Sequence, residues 1–86
     1  MAIVTAEKIF VDVDDEINFV VEKIFNAAKE RVILVVPQNA LIISSQVSIK
    51  ILAKQMLNTK KLVVLVSEDL FGIKLAKQAG ILTTSK

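Results

Sequence analysis

Three runs of branched apolar residues, each followed by a helical pattern, divide this chain into repeating strand–helix units. The runs cover residues 8–13 (KIFVDV), 31–36 (RVILVV) and 62–66 (LVVLV). Near-continuous Val, Ile and Leu over such lengths is typical of strands buried on both faces, as in a parallel sheet covered by helices. The pattern therefore predicts an α/β domain whose strands all run in one direction.

The segments between these runs have helical periodicity. They predict helices over residues 15–29, 41–57 and 70–79, the last ended by Gly80, with residues 81–83 as a candidate fourth strand. Residues 41–43 could instead form an extra strand, in which case Ser44 or Ser45 would cap the second helix. Asp14 or Asp15 is the expected cap of the first helix, whose predicted inward stripe is Ile17, Val20, Val21, Ile24 and Ala28.

Right-handed crossovers between parallel strands restrict the topology. We expect a three-layer α-β-α sandwich with strand order 2-1-3 and any fourth strand beside the third, as in a flavodoxin-like or half-Rossmann sheet. The 86 residues are enough for one domain. With 53% apolar residues, the chain has more apolar surface than such a domain needs. The surplus suggests self-association, docking onto a neighbouring domain, or an N-terminal part of a longer protein.

Composition narrows the possible chemistry. The chain has no Cys and no His, which excludes disulfides, thiolate metal sites and a histidine base. A net charge of +2 with a single arginine does not suggest nucleic-acid binding, and Lys50, Lys54, Lys60 and Lys61 are expected to be solvated. The chain shows neither a signal-peptide pattern nor an apolar run near the ~20 residues of a spanning helix, so we expect a cytoplasmic protein without direct membrane insertion.

Polar side chains follow each predicted strand, where ligands bind in open α/β sheets. Carboxylates two positions apart at a strand end can hold Mg²⁺, as in the first motif of haloacid-dehalogenase-type phosphatases or the acidic pair of response-regulator receivers. Helix capping is the simpler interpretation, and with only two glycines a phosphate-binding loop is excluded. The candidate ligand or metal residues are Asp12, Asp14, Asp15, Ser67 and Asp69, and the candidate polar loop is Gln38 and Asn39.

Five segments together resemble a known kind of domain: FVDVDDEI, AAKERVILVVPQNA, SIKILAKQ, KLVVLVSED and GIKLAKQAG. They are similar to a small N-terminal α/β domain of uncharacterised proteins from candidate-phyla bacteria with reduced genomes. In those proteins the domain often precedes a membrane segment and an extracytoplasmic part, sometimes one similar to phage baseplate proteins. The resemblance implies an assembly or anchoring role on the cytoplasmic side and brings no activity with it.

These observations favour a non-enzymatic protein-interaction or assembly module. The expected partner is a second copy or a neighbouring domain, contacted through a sheet edge or an apolar helix face, and no cofactor is expected. The alternative is a metal- or phosphate-binding domain, phosphatase- or receiver-like, with the carboxylates after the first strand as ligands and Mg²⁺ as the cofactor.

Overall fold

The computed structural model describes residues 5–85, which form four strands and three α-helices in alternation. None of the helices in this part of the chain is long and apolar enough to cross a membrane. The elements in chain order are β1 (Glu7–Phe10), α1 (Ile17–Phe25), β2 (Arg31–Val36), a 3₁₀ turn (Leu41–Ile43), α2 (Gln46–Leu57), β3 (Leu62–Ser67), α3 (Leu70–Gln78) and β4 (Leu82–Ser85).

The four strands form one parallel sheet in the order β1-β2-β3-β4. The α/β class, the parallel sheet and the fourth strand beside the third are confirmed. The predicted order 2-1-3 is wrong, because β1 lies at an edge of the sheet and β2 lies beside it. The flavodoxin-like or half-Rossmann assignment depended on that order and is not confirmed.

The consecutive order explains where the helices lie. Right-handed crossovers that step in one direction along a sheet place successive helices on the same face. In agreement, α1 contacts α2 and α2 contacts α3. The expected three-layer sandwich requires a second helical layer on the opposite face, and residues 5–85 supply only one.

The strands alternate between two environments. On the face toward the helices, which we call the covered face, side chains from β1, β2 and β3 join one core with the helices. Leu34 and Leu65 at its centre are fully buried. Helix residues Val20, Ile24, Ile49, Leu52 and Ala76 complete this core, and the covered-face residues are Ile9, Val32, Leu34, Val36, Val63, Leu65 and Ser67.

The first strand and the first helix are shorter than the sequence predicts. β1 ends at Phe10 rather than Val13, since residues 12–15 form a turn in which the Asp15 N–H donates to the Asp12 carbonyl. α1 covers nine residues and ends before Asn26. The chain beyond it no longer follows the helical stripe, so Ala27 is buried in place of the predicted Ala28.

Ser45 and Gly72 help to shape the layer of helices that covers the sheet. Ser45 caps α2, its hydroxyl accepting from the N–H groups of Val47 and Ser48, so one of the two candidate serines is confirmed as the cap. Residues 41–43 form a 3₁₀ turn instead of a strand. A Cβ on Gly72 would lie 2.9 Å from Cβ of Ile43, so glycine allows α3 to approach this turn closely.

Candidate functional site

The polar residues predicted at the carboxyl ends of the strands fall into two separate groups. Strands β1 and β3 are not neighbours, since β2 lies between them. At a strand spacing of about 4.8 Å, their ends are roughly 10 Å apart. The structure therefore separates the acidic turn after β1 from the Ser67–Asp69 turn after β3, whereas the expected order placed the two strands side by side.

Asp69 is the centre of the group after β3. Its Oδ1 accepts from the Gly72 N–H at 2.9 Å, which makes it the cap of α3, and its Oδ2 accepts from the Asn39 N–H at 2.9 Å. Asn39 has a positive φ of 64°, a conformation that asparagine tolerates better than most residues. One carboxylate thus ties the loop after β2 to the start of α3.

These hydrogen bonds also act on the charge of the group. The Asn39 N–H, followed by that of Gly72, stabilises the ionised carboxylate and lowers the pKa of Asp69 below its ordinary value, while partial burial opposes the shift. Both oxygens are already used by backbone donors. The site therefore favours a structural carboxylate that is ionised at neutral pH rather than a proton-transfer group.

The remaining predicted residues of this group also make internal contacts. Ser67 is buried on the covered face, and its hydroxyl accepts from the Asp69 N–H at 3.0 Å. The Gln38 side-chain amide donates to the Glu68 carbonyl at 3.4 Å. Gln38, Asn39, Ser67 and Asp69 are therefore brought together as predicted, and what holds them is a network that fixes two loops.

The acidic turn after β1 is also closed on itself. Oδ2 of Asp15 accepts from the Asp12 N–H at 2.9 Å and lies 3.9 Å from the Lys23 Nζ. Asp14 is exposed within the turn. Because β1 ends before Asp12, the alternation that would aim Asp12 and Asp14 in one direction does not apply. Among residues 5–85 no group of three or more acidic side chains is placed to hold a metal ion.

The lysines considered for nucleic acid lie at the opposite end of the sheet. Lys50, Lys54 and Lys61 line an open groove of about 580 Å³ between α2, α3 and β4, with apolar residues forming much of its wall. The ammonium of Lys61 donates to the carbonyls of Ala27 and Lys29. It therefore anchors the chain before β3 to the loop after α1, which is a structural role.

The feature that the sequence did not reveal is the second face of the sheet. Strand alternation and register place the side chains that are not on the covered face together on one surface without helices. This surface, which we call the open face, carries Phe10, Ile33, Val35, Leu62, Val64, Val66 and Leu82 with Lys8, Arg31 and Thr84.

Exposure confirms that the open face is uncovered. Phe10 is 66% exposed, Leu82 54% and Leu62 46%, and the four residues between them are half-buried by their strand neighbours. Strands buried on both faces and these strands with one open apolar face have the same apolar composition. The apolar pattern therefore predicted helices on both faces of the sheet, whereas the helices of residues 5–85 cover only one face. The useful signal was the apolar surplus, but nothing in it distinguished a sheet face from a helix face.

The apolar part of the open face is continuous across the sheet. Register aligns Ile33, Val64 and Leu82 in one row and Phe10, Val35 and Val66 in the next. Other exposed apolar side chains, such as Phe19, Val47 and Phe71, are distributed over three different helices. The apolar surface that strand register makes continuous therefore belongs to the sheet.

The comparisons with known proteins add no relationship to this geometry. The chain matches no protein-family model, no curated protein and no solved structure. The resemblance to N-terminal domains of candidate-phyla proteins stays a prediction.

Proposed function

We propose that this chain is a non-enzymatic protein-interaction or assembly module that docks through the open face of its sheet. The observation that carries the proposal is an apolar surface of seven side chains across four strands that no helix among residues 5–85 covers. Apolar parallel sheets are almost always covered on both faces. Exposed apolar patches of this kind mark interaction surfaces in soluble proteins.

The composition of the open face supports the same role. Its centre is apolar, and its charged residues, Lys8 and Arg31, lie at the first strand and at the amino end of β2. An apolar centre with a polar border is the usual organisation of a protein–protein interface. The carboxylates of Asp15 and Asp69 at the sheet's carboxyl end are engaged in turn and capping contacts, which favours binding over catalysis at these two groups.

The sheet edges are less suited to docking than the open face. β1 and β4 are each four residues long, and β1 carries Glu7 and Lys8. Short edge strands and charged edge residues are common protections against edge pairing. Of the docking surfaces considered from sequence, the sheet edge is thus disfavoured.

A photo-crosslinking amino acid in place of Val64 tests the proposal in cells of the organism that encodes the chain. We expect a discrete covalent adduct with protein that disappears when Phe10→Asp is added on the same face. Phe10 is largely exposed, so this second change should not affect folding. The matched control carries the crosslinker in place of exposed Lys77 on α3. Equal adducts from both positions, or none from position 64, would contradict the proposal.

A further inference from the structure

The charges around the open face identify the kind of partner that fits it. Arg31 lies at the amino end of β2, beside Leu62. At the other end of the strands, Pro37 and the exposed Glu68 border a shallow pocket together with the open-face residues Phe10, Val35 and Val66. The open face therefore has a basic amino end, an apolar middle and an acidic carboxyl end.

The charges of Arg31 and Glu68 form no ion pair among residues 5–85. Within the described part of the chain, the ion pair formed is between Lys23 and Asp15, so Arg31 and Glu68 have no ionic partner. At about 3.3 Å per residue, the two ends of the open face are roughly 20 Å apart. Arg31 therefore cannot reach Glu68 of its own chain.

We infer that the partner of the open face is a second copy of this chain, packed face to face with its strands antiparallel to the first. This inference rests on the proposed function, since it names the partner of the same surface. A two-fold axis that runs across the strands would bring the basic end of each copy over the acidic end of the other. Arg31 would then lie opposite Pro37 of the second copy, beside its Glu68.

The apolar rows match in the same arrangement. The axis places the row of Ile33, Val64 and Leu82 over the row of Phe10, Val35 and Val66 of the other copy. Two apolar sheet faces pack about 10 Å apart with their strands within about 30° of alignment. The same apolar residues thus serve both copies, as an isologous interface requires.

The size of the open face sets the expected strength. Four strands about 4.8 Å apart and four rows of residues give a surface of roughly 20 by 20 Å. Two such faces in contact bury on the order of 1,000 Å² in total, near the lower limit for a specific interface. We therefore expect a reversible dimer with a Kd on the order of micromolar rather than a permanent one.

Sedimentation equilibrium of the purified full chain across a wide concentration range tests the inference. We expect a reversible monomer–dimer equilibrium, and circular dichroism of each variant verifies that it remains folded. Val64→Lys should abolish the dimer, because it puts a charge at the centre of the interface. Lys77→Glu on the helical side should leave it unchanged.

A charge exchange makes the test specific to the antiparallel orientation. Arg31→Glu and Glu68→Arg should each weaken the dimer roughly tenfold or more, since like charges then face each other. An equimolar mixture of the two variants should recover much of the affinity, because the heterodimer pairs Glu with Arg at one end and retains Arg31 with Glu68 at the other. The recovery should diminish at high salt.

Several results would overturn the inference. A folded monomer at every concentration excludes the second copy, and so does a dimer that Val64→Lys leaves intact. Mixed charge variants that fail to recover affinity exclude the antiparallel orientation. Growth beyond a dimer points instead to edge pairing between β4 and β1. A monomer in solution combined with an adduct to a different protein at position 64 in cells would reject the second copy while retaining the proposed function.

Discussion

The two faces of the sheet have similar composition and very different surroundings. On β3, Leu65 and Leu62 are the same residue three positions apart: Leu65 is on the covered face with 0% exposure, while Leu62 is on the open face with 46%. Val63 and Val64 differ in the same way. The comparison shows that an apolar residue in a strand favours burial, but that the residue type does not indicate whether the same chain buries it.

The largest expected effect comes from truncating this leucine pair. Leu65→Ala should destabilise the domain by about 2–5 kcal/mol, because it leaves a cavity in a packed core. In a dilute sample, Leu62→Ala should cost less than about 1 kcal/mol, since its side chain is already half in water. Urea denaturation at low protein concentration measures both. Equal losses at the two positions would show that both faces are covered within one chain.

A smaller effect is expected where the covering helices approach each other most closely. Gly72→Ala places a methyl group 2.9 Å from Cβ of Ile43, so either α3 or the 3₁₀ turn must move. We expect a net loss of about 1–2 kcal/mol, as overpacking outweighs the better helix propensity of alanine. Lys74→Ala on the exposed side of α3 is the control and should stay within about 0.5 kcal/mol. A stabilised Gly72→Ala variant would mean that this contact is looser than described.

The pH dependence of stability tests the network at the end of the covered face. The pKa of Asp69 is lowered in the folded state, so its contribution is present above the pKa of the unfolded chain and is lost as pH falls through the folded value. Asp69→Asn should therefore lower stability at neutral pH by about 1 kcal/mol and reduce the loss of stability in acid. Urea midpoints between neutral pH and pH 2 measure this.

Ser45→Ala is the matched control for that experiment. It removes a cap of similar strength from α2, but the serine hydroxyl does not titrate over this range. Its stability loss should therefore be nearly constant with pH. If Asp69→Asn and Ser45→Ala gave parallel pH curves, the hydrogen bonds from Asn39 and Gly72 would not be the source of acid sensitivity.

Local structure followed closely from the sequence because local interactions determine it. Alternating strand and helix segments, the Ser45 cap and the end of α3 near Gly80 all depend on nearby residues. Strand order does not depend on nearby residues. Right-handed crossovers allow each new strand to add on either side, and the apolar runs were consistent with cover on both faces. Cover on both faces required the first strand to lie in the middle of the sheet. Hydrophobic periodicity does not indicate on which side of the sheet each new strand is added.

The candidate site was predictable in position and not in role. Parallel strands bring Gln38, Asn39, Ser67 and Asp69 to one end of the sheet, as expected. The positive φ of Asn39 and the turn formed by Asp12 and Asp15 determine which backbone groups the carboxylates bind. Those details depend on loop geometry that residue types alone do not specify. The open face follows from the strand order, so a sequence pattern that does not determine the order does not predict the open face either.

Thiol labelling at two adjacent positions tests the central claim most directly, since the chain has no cysteine of its own. Val63→Cys and Val64→Cys place a thiol on the covered and the open face of the same strand. In dilute, native samples we predict that the thiol of V64C reacts readily, while that of V63C reacts at least about a hundredfold more slowly because it requires opening of the core. Similar rates at the two positions would contradict a sheet with one covered and one open face.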